Sequence, residues 1–267
     1  MRMYLSVFKL RLYTGLQYRT AALAGIATQF FWGFIILMVF QAFYHQTAGS
    51  QPISLQELTA YIWLQQAFLA LIMLWFRDNE LFDLITTGNI AYELCRPSGI
   101  YGFWYAKLLA QRLAGAALRS GPILVAAMLL PGGYRLMLPP DGAALALFLL
   151  SLLIGLALIV AISMLIYISV FVTLSPAGSL LMFGVLGEFC AGMVIPVPLM
   201  PAWLQQIIYV LPFRWSADFP FRVYSGHIGT LDALTGIGIQ LVWLAVLVML
   251  GKWLMKLALR SVVVQGG

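Results

Sequence analysis

Residues 143–172 read AALALFLLSLLIGLALIVAISMLIYISVFV, a long run without a single charged side chain. A helix that crosses a bilayer needs about 20 consecutive apolar residues. At about 1.5 Å per residue this run would form a helix about 45 Å long. Since that length exceeds the hydrocarbon thickness, the run predicts a membrane helix that is tilted or extends beyond the bilayer core.

The rest of the chain has the same character. Hydrophobic residues make up 63% of its 267 residues and charged residues 9%, against roughly 25% charged in soluble domains. The mean hydropathy is +0.96. Divided into crossings of about 20 residues plus loops, the length predicts six or seven spans. We therefore predict an all-α integral membrane protein with six transmembrane helices, built as one domain over 1–267.

Six apolar segments, separated by polar or proline-containing turns, are the predicted spans: 21–43, 58–76, 105–130, 143–172, 179–194 and 231–257. The fifth is short for a crossing. Before them, residues 1–20 carry four basic residues and no acid, and Tyr4, Leu5, Phe8, Leu12 and Leu16 recur at helical spacing. This pattern predicts an amphipathic helix at the membrane surface. A cleaved signal peptide is the alternative, but the following apolar run is longer than such peptides carry.

The basic residues predict the orientation of these spans. If both termini are cytosolic, only three of the 15 Lys and Arg residues lie on the outer side, namely Arg135, Arg214 and Arg222. Cytosolic loops of membrane proteins are rich in Lys and Arg. We therefore predict a multi-pass protein of the cell inner (cytoplasmic) membrane with both termini inside. The net charge of +6 is not gathered with aromatic residues into a basic patch, so no nucleic acid partner is expected.

Residues 195–230 are too interrupted by proline for a continuous span and too apolar for an ordinary loop. Irregular backbone exposed to lipid is not tolerated. We therefore predict an outer re-entrant hairpin of short helices packed against the bundle between spans five and six. Its marker residues are Pro196, Pro201, Trp203, Pro212 and Phe213.

Enzymatic signatures are missing from the sequence. The only histidines, His45 and His227, fall in predicted outer loops, so no His-x-x-x-His metal pair or embedded Ser-His dyad can form. No Gly-x-x-x-x-Gly-Lys-[Ser/Thr] phosphate loop occurs either. We predict no catalytic residue, metal ligand or cofactor in this chain, so any ATP dependence requires a partner.

The loop at 77–104 contains the most charged stretch of the chain. Leu81, Leu84 and Ile85 share one face of a predicted short helix, which Thr86-Thr87-Gly88 would end. Asn89 is then positioned to cap a second short helix through Leu94. The loop is either a solvated connector or a docking element between two spans. The candidate docking residues are Glu80, Asp83, Leu84, Thr87, Gly88, Asn89, Glu93 and Arg96.

The sequence DLITTGNIAYELCRP at 83–97, between a basic amphipathic start and a proline-rich later segment, resembles ABC-2 type transporter permeases. It is most similar to the six-span branch grouped with daunorubicin-type exporters. The later match consists of GMVIP at 192–196, PAWL at 201–204, LPF at 211–213 and Pro220.

The resemblance implies a six-helix domain that dimerises with a second copy or a paralogous permease and exports a substrate. It also implies a separate ABC ATPase subunit, carrying ATP and Mg, beneath each copy. Residues 1–20 would be the connecting helix, Glu80 to Thr87 the coupling helix that enters a groove on the ATPase, and 195–224 a hairpin that closes the outer end. None of these motifs names a substrate.

Five polar side chains within the predicted spans are candidates for a transport pathway: Gln29, Gln65, Gln66, Arg119 and Glu188. A carboxylate at bilayer depth is costly, so Glu188 is a functional candidate, although a satisfied or hydrated structural acid is the alternative. Arg119 would instead snorkel to the cytosol if its helix continued past Pro131. The glutamines would serve equally well as hydrogen bonds between helices. A non-transporting scaffold or sensor subunit, and a membrane-integral enzyme, remain the rival functions.

Overall fold

The structure, a computed structural model, describes residues 2–46, 51–75, 77–95 and 99–260. These ranges form α-helices and short turns without a β-strand. The helices are α1 (Arg2–Leu16), α2 (Arg19–Gln46), α3 (Leu55–Ala67), α4 (Leu69–Ile72), α5 (Asn79–Thr86), α6 (Ile90–Leu94), α7 (Ile100–Leu129), α8 (Gly142–Thr173), α9 (Pro176–Cys190), α10 (Ala202–Val210), α11 (Asp218–Tyr224) and α12 (Thr230–Arg260). Single 3₁₀ turns occupy Gly132–Tyr134, Val197–Leu199 and Phe213–Ser216.

Four of these helices are long and apolar enough to cross a membrane: α2, α7, α8 and α12, with 28, 30, 32 and 31 residues. They coincide with the first, third, fourth and sixth predicted spans. Helix α7 begins at Ile100, within the range predicted as loop. The helical class is thus confirmed, and the membrane-spanning character rests on these four helices.

The second predicted span, 58–76, is not one helix. Helix α3 ends at Ala67, Phe68 interrupts it, and the four-residue α4 ends at Ile72. Arg112 of α7 donates hydrogen bonds to the carbonyls of Leu71 at 3.0 Å and Met73 at 2.7 Å. Because carbonyls at a helix end lack partners within the helix, Arg112 stabilises this break from the neighbouring helix. The sequence pattern missed the break because it contains neither proline nor glycine.

Helix α3 is the innermost helix. Every side chain from Leu58 to Ala67 is buried, and α3 packs against α2, α7 and α11. Its start is fixed by a capping box in which Ser54 and Glu57 bond each other's backbone N–H, at 3.2 and 2.7 Å. The fold therefore surrounds α3 with helices that present their own outer faces to the surroundings.

The fifth predicted span, 179–194, begins earlier and ends earlier than expected. Helix α9 has 15 residues and stops at Cys190. Gly192, with a φ of +79°, then turns the chain, and its carbonyl accepts a hydrogen bond from the Tyr61 hydroxyl at 3.1 Å. A residue with a β-carbon would be strained at this φ and would meet the Tyr61 hydroxyl. This turn explains why the helix cannot continue to 194.

Helix α1 lies along α7 rather than standing alone at a surface. A β-carbon at Gly15 would lie 2.6 Å from the Ala114 side chain, so the two helices approach closely there. Tyr4 fits beside Gly102 of α7. Leu5, which was expected on the buried side, is 54% exposed, because the contact with a single helix covers only a narrow stripe of α1.

The bundle has two distinct ends. At the first, called the α5 end, α1, α5 and the start of α7 meet, and Gly251 of α12 packs against Tyr101 of α7. At the other, called the hairpin end, the segment 192–228 packs on the first half of α8, and the Tyr224 hydroxyl bonds the Met137 carbonyl at 3.0 Å. The three basic residues predicted outside, Arg135, Arg214 and Arg222, all lie at the hairpin end.

Candidate functional site

The predicted docking loop forms a defined helix, α5, with clear start and stop signals. Asp78 caps its start, because its Oδ1 accepts a hydrogen bond from the Glu80 N–H at 3.0 Å. Thr87 follows its last residue, and Gly88 then adopts a φ of +77°. The predicted stop at Thr86-Thr87-Gly88 is confirmed, since a left-handed glycine is a common helix terminator.

Helix α5 has one apolar face on the bundle and one polar face away from it. Leu81, Phe82 and Ile85 are buried, and the Phe82 ring lies 4.4 Å from the Tyr167 ring of α8, centroid to centroid. Leu84 is half-buried, whereas Asp83 is exposed. The adjoining Thr87, Gly88 and Asn89 are exposed too. The sequence pattern anticipated the two faces but not Phe82, which anchors the helix.

An ion cluster joins α5 to two other helices. Lys107 of α7, only 3% exposed, lies 3.0 Å from Asp78 Oδ2 and 2.8 Å from Glu80 Oε2. Arg11 of α1 pairs with the same Glu80 oxygen. Burial alone would raise the pKa of the Glu80 carboxyl, but hydrogen bonds from Lys107 and Arg11 lower it below its ordinary value. In the sequence, the signal for this cluster is a lysine about two turns inside a mostly apolar helix.

The second short helix, α6, contributes less to the exposed surface. Asn89 occupies its N-cap position, as predicted, but its side chain makes no capping hydrogen bond. Glu93 is only 7% exposed and so does not belong to the exposed polar face of the loop. Arg96, the remaining candidate, lies outside the described residues.

The three glutamines of the predicted pathway have different surroundings. Gln65 donates a hydrogen bond to the Met193 carbonyl, which links α3 to the turn after α9. The side chain of Gln66 packs against Gly33 of α2, where a β-carbon would lie 3.0 Å from its Cγ. Gln29 is 4% exposed, and within the described residues neither its amide nitrogen nor its amide oxygen has a hydrogen-bond partner. Gln65 thus makes a structural hydrogen bond, but to the turn after α9 and not to another helix.

Arg119 lies between α7 and α2. A β-carbon at Gly25 would lie 2.8 Å from the Arg119 Cζ, so the absence of a side chain at Gly25 makes room for the guanidinium. Helix α7 ends at Leu129, ten residues after Arg119, which corresponds to about 15 Å. The condition for snorkelling, a helix that continues past Pro131, is therefore not met.

Glu188 is half-buried near the end of α9. It neighbours Trp75, and its Oε1 is enclosed without a hydrogen-bond partner in the part of the chain that the structure describes. Burial of an acceptor without a partner is costly. One carboxylate oxygen of Glu188 is therefore left unpaired among the described residues, while the side chain bonds Trp75.

The proline-rich segment forms short helices against α8. Pro196 and Pro212 are buried and Phe213 is half-buried beside Gly187, whereas Pro201 and Trp203, at the start of α10, are exposed. Gln240 of α12, fully buried, donates to the Trp215 carbonyl at 2.7 Å and the Ser151 carbonyl at 3.0 Å. A β-carbon at Gly155 of α8 would lie 2.9 Å from the Ser216 carbonyl oxygen. Close backbone contact and Gln240 therefore hold the segment on the bundle.

These observations define a class: an all-helical, multi-pass membrane protein with a charged helix docked at one end and a proline-rich segment of short helices at the other. No protein-family model, curated protein or solved structure matches the chain.

Proposed function

We propose that this chain is the permease subunit of an ATP-binding cassette exporter, and that α5 is its coupling helix. The observation that supports this proposal most directly is the arrangement of α5. Its apolar face is buried on α8, its Asp83 face is exposed, and Lys107 ties it to α7. A solvated connector needs no such fixation.

The contacts of α5 provide a route for movement. A partner that binds the exposed face and shifts α5 pulls on α7 through Lys107 and on α8 through Phe82 and Tyr167. The Asp78 N–H also donates a hydrogen bond to the Tyr167 hydroxyl oxygen, at 2.7 Å. Such a shift changes the relative stability of two packings, which is how binding of ATP to a partner biases alternating access.

In this proposal the α5 end is cytosolic, and six segments cross the inner membrane: α2, the pair α3–α4, α7, α8, α9 and α12. Outward-facing apolar side chains support contact with lipid and with a second permease copy or a paralogous permease. Examples are Phe31 and Trp32 of α2, Leu186 of α9 and Met249 of α12, all about half exposed or more. The hairpin would close the outer end, and the ABC ATPase subunit would carry ATP and Mg.

Gln29, Arg119 and Glu188 are the pathway residues that we retain. Gln29 and Glu188 each enclose a polar atom that has no hydrogen-bond partner among the described residues, and Arg119 lies between α2 and α7. Polar groups at such positions are unusual for purely structural residues in a membrane helix. Gln65 is better explained by its bond to Met193.

Co-purification from the native host tests the proposal. The tagged chain, extracted in mild detergent, should carry a second subunit that hydrolyses ATP. Asp83→Arg reverses an exposed charge on α5 and should lower the amount of this subunit about tenfold or more, equivalent to about 1.4 kcal/mol. Asp232→Arg is the matched control, since Asp232 is also exposed but lies in the first turn of α12 at the hairpin end. It should retain the subunit.

Two results would contradict the proposal. One is a purified chain without ATPase activity even after chemical cross-linking in intact membranes. The other is equal recovery of the ATPase subunit with Asp83→Arg and with Asp232→Arg, which would remove α5 from the interface.

A further inference from the structure

A polar cavity of about 380 Å³ opens at the hairpin end. It lies between α10, α11 and the first turns of α12. Residues that give it its chemistry are Tyr209, Arg214, Trp215, Arg222, His227 and Thr235. Ligand sites for small molecules begin at about 300 Å³, so this cavity is large enough for one compact polar group.

Two arginines of this cavity are largely buried. Arg214 is 8% exposed, and its guanidinium lies 4.1 Å from the Tyr209 ring centroid and 4.4 Å from that of Trp215. The Arg222 side chain is 12% exposed, and its Nη1 lies 3.5 Å from Asp218 Oδ2. Among the described residues the Nε atoms of both arginines lack a hydrogen-bond partner. Both side chains therefore keep donor capacity that the protein does not use.

The buried charges around the cavity do not balance. Asp218, fully buried, is the one buried carboxylate near the two guanidiniums in the described part of the chain. Its other oxygen, Oδ1, already accepts the Tyr61 hydroxyl at 3.4 Å. Glu57 bonds His227 at 3.3 Å, and Asp232 is exposed at the rim. A guanidinium withdrawn from water without a counter-charge costs several kcal/mol, so an added anion would stabilise the site.

We propose that this cavity binds a phosphate group, with Arg214 and Arg222 as its ligands. A guanidinium binds phosphate through paired N–H donors in a fixed plane. One phosphate has enough oxygens for two arginines, and its charge compensates the second buried cation. The aromatic faces of Tyr209 and Trp215 hold Arg214 in position. The site does not depend on the proposed transport function, since it follows from the hairpin and α12 alone.

The phosphate has two possible sources, a soluble phosphate compound or the headgroup of a membrane lipid. Calorimetric titration of the purified full chain with inorganic phosphate and glycerol 3-phosphate tests the first. Native mass spectrometry after reconstitution with phosphatidylglycerol, compared with a glycolipid that lacks phosphate, tests the second. Binding in either experiment supports the site and identifies the source.

Three variants determine whether binding occurs in this cavity. Arg214→Gln removes one ligand, and Thr235→Trp fills the cavity from its exposed wall while leaving both arginines and Asp218 in place. Each should weaken binding by about tenfold or more. Arg135→Gln removes an exposed positive charge from the same end of the bundle and should leave binding unchanged.

If Arg214→Gln does not fold, Thr235→Trp alone decides. Undiminished binding with Thr235→Trp would overturn the proposal. So would the absence of binding to inorganic phosphate, glycerol 3-phosphate and phosphatidylglycerol alike.

Discussion

Lys107 should be the most sensitive charged residue of the α5 end. It is 3% exposed and contacts two carboxylates of unequal burial, Asp78 at 9% and Glu80 at 57% exposed side chain. Removing one partner of a buried ion pair costs about 3–5 kcal/mol, because the other charge stays behind unpaired. An exposed pair contributes about 0–1 kcal/mol. Lys107→Met should therefore lower the free energy of unfolding by about 3–5 kcal/mol, almost all of it through Asp78.

A double-mutant cycle separates the two contributions. The free energy of unfolding is measured by titration with sodium dodecyl sulfate in mixed micelles. Lys107→Met is combined with Asp78→Asn in one cycle and with Glu80→Gln in the other. Asparagine keeps the side-chain oxygen that caps α5, so the cycle isolates the charge. The coupling energy with Asp78 should exceed that with Glu80 by about 2 kcal/mol or more.

The control for this cycle is Lys256→Met, which removes an exposed lysine of α12 and should change stability little. Equal coupling energies for Asp78 and Glu80 would refute the reasoning, since burial would then not decide the strength of the pair. A cost for Lys107→Met no greater than for Lys256→Met would refute it too.

Two further predictions concern the attachment of α1. Hydrogen bonds from Lys107 and Arg11 lower the pKa of the Glu80 carboxyl in the folded chain below its ordinary value of 4.5. The ionised carboxylate should therefore stabilise the fold fully above pH 4.5, and this stabilisation should disappear as the pH falls through the pKa of the folded chain. The stability difference between the natural chain and Glu80→Gln should be at most about 1 kcal/mol at neutral pH and vanish in acid; a difference that grows in acid would contradict this sign. Alanine has a higher helix propensity than glycine, by about 1 kcal/mol. Gly15→Ala should nevertheless destabilise the chain, because the new β-carbon would lie 2.6 Å from the Ala114 side chain. The control is Gly238→Ala, whose new β-carbon meets no atom within 4 Å and should be neutral or stabilising. Thermal denaturation of both variants measures the difference. Equal effects of the two substitutions would argue against close packing of α1.

The sequence predicted the long helices well because an uncharged apolar run has few alternatives. Residues 143–172 became α8, Gly142–Thr173, with an error of one residue at each end. The ends of α5 were predictable too, since Thr87 and Gly88 are local signals. Both predictions depend only on neighbours in the sequence.

The features that sequence did not predict depend on distant contacts. The break at Phe68 is compensated by Arg112, some forty residues later in the chain, and no local pattern marks it. Lys107 acquires its role only because α5 folds back over α7. The burial of Glu93, counted among the docking residues, likewise follows from tertiary packing. Hydrophobic patterns report which residues avoid water but not which polar groups will meet.

The central position of α3 has a consequence for how the protein is assembled. This helix is enclosed by α2, which precedes it in the chain, and by α7 and α11, which follow it. During synthesis it therefore leaves the ribosome well before most of its neighbours exist. Its glutamines, Gln65 and Gln66, are poorly suited to lipid in the meantime. We therefore expect α3 to reach its final position late, when the helices that follow it in the chain surround it. A chain truncated after α7 should leave α3 accessible to water-soluble labelling reagents.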